Sequence, residues 1–176
     1  GLRLKLYQWM VDSADLGLIP EPVLEELGRE HGSKYGVLKP KDRVAWTILD
    51  TIEAGERKDL GALQAALTHP HPAVRWWAAT GLGNTGEASA TASLQPLLQD
   101  QYHGVRVAAA QALCQLSAVD AGLPVLVEEI DCENQIVGMY AIRGLELIGP
   151  KAAPAKEAIQ AALQSPYDGT QRIAQR

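Results

Sequence analysis

The sequence predicts an all-α protein: a right-handed α-α superhelix of stacked helical hairpins, preceded by an N-terminal helical segment. Three observations predict it. First, the stretch from Pro70 to Gly86 places Val74, Trp77, Ala78, Gly81 and Leu82 at the i, i+3, i+4, i+7, i+8 spacing of a helix with one buried face. Second, the pattern returns. Val74, Arg75 and Leu82 recur 31 residues later as Val105, Arg106 and Leu113. Val105, Ala109 and Leu113 recur after 32 more as Val137, Ala141 and Leu145. A fixed period in this range marks supersecondary units that bury their apolar faces only by stacking. Third, the chain has no Phe, 16 Gly and much Ala and Leu, which suits close-packed helices better than β-branched strands.

Taken in order, Leu2 to Ala14 reads as a helix with Leu2, Leu6, Trp9 and Met10 on one face and Leu4 flanking. Leu16 to Pro20 is an apolar loop that needs a surface to lie on. Pro20 and Pro22 open a second helix running to about His31, and Glu21, Glu25 and Glu26 complement its positive end. Ser33 to Pro40 is a connector. Lys41 to Ala54 is a helix that Gly55 stops, and Asp59 caps the helix Leu60 to Thr68. His69-Pro70-His71-Pro72 forces a turn, since each Pro disfavours helix at the residue before it.

The hairpins continue with helices over Ala88 to Gln99, Val105 to Ser117, Ala121 to Ile130, Ile136 to Ile148 and Ala153 to Gln164. Pro96 kinks the first of these or marks its true start. Pro124 lies near the N-terminus of the third, and Pro154 fits the first turn of the last. The organisation is thus residues 1–40 as an N-terminal helical segment, 41–164 as repeats, and 165–176 as a polar, frayed tail.

Charge and composition exclude several classes of function. The net charge of −5 and the lack of a basic run longer than Lys39-Pro40-Lys41 or Arg57-Lys58 argue against a nucleic-acid backbone binder. No apolar run approaches the roughly 18 residues of a membrane span. Cys114 and Cys132 read as two free thiols rather than a disulfide framework. The chain starts at Gly1, so it reads as a segment of a longer protein.

No catalytic, cofactor or metal set is evident. His69 and His71 flank prolines in a capping turn, and His31 and His103 stand alone at helix ends. The pairs Glu25/Glu26 and Glu128/Glu129 diverge on their helices and read as solvated surface. If the second helix of each hairpin lines a concave face, Trp76, Val107 and Met139 form one row on it. Thr80, Gln111 and Arg143 form the adjoining row. Exposed aromatics with Met and Arg are what binding surfaces use, while ordinary packing is the competing reading.

His71-Pro72-Ala73-Val74-Arg75-Trp76-Trp77-Ala78-Ala79-Thr80-Gly81-Leu82-Gly83 resembles the D/H-P-x-V-R-x-x-A-A-x-x-L-G unit of HEAT-like repeats, also seen in phycobilin lyases. The resemblance covers roughly Lys41 to Leu163, with Gly138 replacing the Arg in the fourth unit. In such repeats the Arg, here Arg75 and Arg106, holds loop carbonyls or acids of the neighbouring unit. The resemblance implies a fold and no chemistry.

The stretch Leu6 to Glu21 resembles L-x-x-W-x-x-x-T-x-D-L-G-x-x-P-E, which follows the catalytic domain of a group of bacterial sulfatases. Ser13 or Ala14 stands where Thr is usual there. This resemblance implies a non-catalytic C-terminal region of a sulfatase that is periplasmic or secreted. The parent would use calcium and a formylglycine made within C/S-x-P-x-R. Neither Cys114 nor Cys132 fits that motif, so none of this chemistry lies in the chain.

The resemblance further implies packing on a catalytic sulfatase domain in cis through Leu4, Trp9, Leu16, Leu18 and Ile19, shaping its active-site rim or serving oligomerisation. The rival readings are a free-standing scaffold for a protein partner and a phycobilin-lyase-like tetrapyrrole binder. An appendage leaves Leu4, Trp9, Leu16, Leu18 or Ile19 partly exposed, whereas a free scaffold buries them. A tetrapyrrole binder needs a charged groove, for which Arg143 and Glu146 are the candidates.

Overall fold

Short polar caps set where several of the helices begin. Asp42 accepts from the Val44 amide at 3.1 Å, Asp59 from Ala62 at 3.0 Å, His71 from Ala73 at 3.3 Å and Asn134 from Ile136 at 3.1 Å. Each supplies an acceptor to a first-turn amide that has no partner within its helix. The computed structural model describes residues 1–164 and 168–174. Its helices are α1 (Leu2–Asp12), α2 (Glu21–Glu30), α3 (Arg43–Glu56), α4 (Leu60–Ala66), α5 (Pro72–Thr85) and α6 (Thr91–Leu94). They continue with α7 (His103–Gln115), α8 (Val119–Glu129), α9 (Gln135–Ile148), α10 (Lys156–Ala162) and α11 (Asp168–Ala174). Short 3-10 turns link them, and among the described residues there is no strand.

The second helices of the hairpins stack side by side in the order α3, α5, α7, α9, α11. Small residues let them close up. α3 runs through Gly55 instead of stopping there, and the bare Cα of Gly55 faces Gly81 of α5. Gly138 stands where earlier repeats carry Arg for a steric reason. A Cβ there would lie 2.5 Å from the Ile130 carbonyl oxygen.

Prolines redraw the first helices of the hairpins. The stretch from Ala88 to Gln99 breaks into a 3-10 turn, the one-turn α6 and a second 3-10 turn around Pro96, which has no N–H to continue an α-helix. Gly149–Ala155 is also 3-10, so Pro154 lies before α10 and not in its first turn. α8 starts earlier than its pattern implies, which puts Pro124 inside the helix on an exposed edge.

The expected frayed tail needs correction. Residues 168–174 form α11, which packs on α9 and continues the stack. Residues 165–167, 175 and 176 of that tail lie outside the described residues.

α7 is the spine of the core. Val105, Ala109 and Leu113 pack towards the N-terminal half, while Val107, Ala110 and Cys114 pack towards the C-terminal half. The N-terminal segment has no separate core, since Val11, Leu18, Val23, Leu27 and Leu38 are buried in one cluster with α3, α5 and α7. α2 does not pair with α3 as a hairpin. It crosses the beginnings of α7 and α9 as a strap.

Candidate functional site

At the Pro70 turn the arginine of the repeat does what the resemblance implies. Arg75 donates from Nη1 to the His69 and Pro70 carbonyls at 2.8 and 2.9 Å. It also grips Asp100 of the next unit through Nε and Nη2, at 2.7 and 2.8 Å. Both side chains are almost fully buried, at 10% and 8% exposed. The guanidinium lies 5.7 Å over the Tyr102 ring. Thus one residue closes its own turn and fastens the next.

His69 and His71 cap this same turn, His69 Nδ1 accepting from the His71 amide at 3.1 Å. Burial, with His69 beside it, pulls His71 from 6.5 down to about 4. The folded state therefore favours a neutral ring that the unfolded chain protonates more readily. The stability this contributes is whole above pH 6.5 and is lost as pH falls from there through about 4. His71→Asn keeps a capping acceptor without the titration. Its unfolding free energy should fall less than that of the parent chain between neutral pH and about pH 4, by on the order of 1 kcal/mol once solvent screening of the half-buried ring is allowed for. Parallel profiles from urea melts across that range would contradict this origin.

The strap is held by polar contacts spanning most of the chain. Glu26 accepts from the amides of His103 and Gly104, at 2.8 and 3.0 Å, at the positive end of α7. Burial nonetheless holds its carboxyl above the ordinary range. Tyr102 donates to Glu30 at 2.9 Å, Asn134 to the Pro22 carbonyl at 3.1 Å, and Trp77 to the Leu18 carbonyl at 2.9 Å. Next to Glu26 lies a cluster of His103, Arg106, Glu129 and Cys132. Glu129 is 2% exposed. Its Oε2 lies 2.7 Å from His103 Nδ1 and its Oε1 lies 2.9 Å from Arg106 Nε. Glu26 and Glu129 are therefore not the solvated carboxylates expected, because each is turned under a neighbouring helix. Their partners are tens of residues away, beyond the reach of a local periodicity argument.

The two rows proposed from the repeat phase are not brought together as one surface. Trp76 sits half-buried in a groove of about 490 Å³ between the Leu16–Leu24 stretch, Trp77 and Tyr140. Thr80 faces a different groove, between α3 and α5. Val107 is 1% exposed and belongs to the core. Gln111 donates to the Tyr140 carbonyl at 2.8 Å across α7 and α9. Met139 lies against Gly169 of α11, and Arg143 is exposed and paired with Glu146. Equivalent repeat positions have different neighbours because α2 lies against α7 and α9, and α11 lies against α9.

Of the expected packing residues, Leu18 and Ile19 are 2% and 3% exposed, packed in the core of the chain itself. Leu16 is half-buried. On α1 most of the expected face points out. Leu2, Leu6 and Trp9 are 86%, 52% and 60% exposed, and Leu4 is 61% exposed. Met10 of that face does pack inward, beside Tyr7 and Val11.

Residues 38–115 match the HEAT-repeat family model. The match runs from the connector before α3 through α7, the stretch that contains Arg75 and Arg106. The chain is thus an all-α solenoid with a HEAT-like repeat region, and the stack extends past the matched residues through α8, α9 and α11. No curated protein matches the chain. No helix among the described residues is long and apolar enough to cross a membrane.

Proposed function

We propose that this HEAT-like chain is a protein-interaction module whose docking element is α1, with a catalytic domain preceding it in a longer protein as the partner. The observation that carries the reading is the outer face of α1. Large apolar side chains on a helix normally face a partner, yet Leu2, Leu6 and Trp9 form an exposed stripe away from the face that packs on α3. Arg3 ties the helix to Glu56 at 2.8 Å, so the stripe is held in place.

The sulfatase-type identity of that domain rests on the resemblance of Leu6 to Glu21, which begins within α1. In that reading the calcium and formylglycine belong to the partner domain, and this chain supplies packing, an active-site rim or an oligomer contact. The rival reading, a free-standing scaffold, is favoured by the burial of Leu18 and Ile19. The coding sequence upstream of Gly1 separates the two. An in-frame domain containing C/S-x-P-x-R supports the appendage, and a start codon close to Gly1 overturns it.

Replacing Leu6 and Trp9 together by Glu should change the melting free energy of the isolated chain little, within about 1 kcal/mol for two exposed positions. It should abolish dye binding and self-association driven by the stripe. A cooperative loss of fold in this variant, measured by circular dichroism, would show that the stripe serves the chain's own core.

A further inference from the structure

Three side chains capable of ligating a metal converge beside the strap. His103 opens α7, Glu129 closes α8, and Cys132 lies in the turn before α9. One donor atom from each lies within 4.8 Å of the others. We infer that they form a site for one divalent transition-metal ion, with a fourth position open to water or to a partner's side chain. The mixed nitrogen, carboxylate and thiolate set is the chemistry that suits zinc, bound at about 2.0–2.3 Å to three protein ligands.

The geometry around His103 points the same way. Nδ1 lies 2.7 Å from Glu129 Oε2 and also contacts Arg106 Nη2. The first contact needs a proton on Nδ1 and the second needs a lone pair, so one tautomer cannot satisfy both. A cation at this point takes lone pairs from Nδ1 and Oε2 together. Arg106 then keeps Oε1, 2.9 Å from its Nε, which is buried and has no well-aligned hydrogen bond. An outer partner on a ligating carboxylate is the usual support of a metal site.

Glu26, which accepts from the His103 and Gly104 amides, adds a second carboxylate beside the cluster. Access comes from the His103 side, whose ring is 44% exposed.

The test uses the full 176-residue chain, stripped with chelator and titrated with Co²⁺. The expected result is one equivalent of cobalt with a near-ultraviolet thiolate-to-cobalt charge-transfer band, displaced by Zn²⁺. Cys132→Ser should lose the band, and Glu129→Gln should weaken zinc by about tenfold or more. In the unsubstituted chain, Zn²⁺ should also slow alkylation of Cys132 while leaving the buried Cys114 unchanged. Absence of the band at excess cobalt, its survival in Cys132→Ser, or unchanged alkylation of Cys132 would each overturn the site.

Discussion

Arg75→Ala is expected to destabilise the chain by about 3–5 kcal/mol, the cost of leaving a buried charge without its partner. The reason lies less in the ion pair than in what its loss strands. Asp100 would stay 8% exposed with neither Nε nor Nη2 to face, and the His69 and Pro70 carbonyls would lose their donor. Both groups sit at the joint between consecutive repeats, so the damage falls on stacking and not on one helix. Urea unfolding of Arg75→Ala, Asp100→Leu and the double Arg75→Met/Asp100→Leu variant measures it. The double variant should recover most of the loss, because well-packed apolar residues commonly replace a buried pair at little cost. A loss under about 1 kcal/mol for Arg75→Ala would place this pair with weak surface bridges.

Gly122→Ala should cost about 3 kcal/mol, at the upper end of overpacking effects. A Cβ at Gly122 would collide with the Ala110 carbonyl oxygen and lie 2.7 Å from Cys114 Sγ. The first of these is backbone of α7, which cannot swing aside, so α8 must lift off the spine. Gly61→Ala is the contrasting case. Gly61 is exposed in α4 and its Cβ would meet only Asp59 Oδ1, at 3.7 Å. That change should stabilise the helix by up to about 1 kcal/mol. If thermal melts show equal effects for the two, the close approach of α7 and α8 is not what Gly122 provides.

The repeats were legible in the sequence because each repeated position meets the same kind of neighbour. Val74, Val105 and Val137 are all fully buried, as are Leu82 and Leu113. The capping turn followed from its two prolines, and the role of Arg75 from the resemblance to HEAT-like repeats. The phase of α1 was not legible, because away from the Lys5, Gln8 and Asp12 side its apolar residues spread over a wide arc that does not single out one face. Leu2, Leu6 and Trp9 share a face, but Tyr7, Met10 and Val11 win the contact with the core.

Periodicity also could not reveal the strap. Glu26 meets amides 77 and 78 positions away. Glu129 differs from its exposed neighbour Glu128 only in which way the end of α8 turns. The cluster of His103, Glu129 and Cys132 joins two helix ends and a loop, so no single stretch carries its spacing.

The central claim, that another protein domain covers α1, is tested most directly by hydroxyl-radical footprinting of Trp9. The comparison is between this 176-residue chain and the complete product of its gene. Trp9 is 60% exposed in the chain alone, while Trp76 and Trp77 are half-buried and serve as internal references. The account predicts strong oxidation of Trp9 in the isolated chain and its protection in the complete product, with Trp76 and Trp77 unchanged. Equal oxidation of Trp9 in both would contradict it.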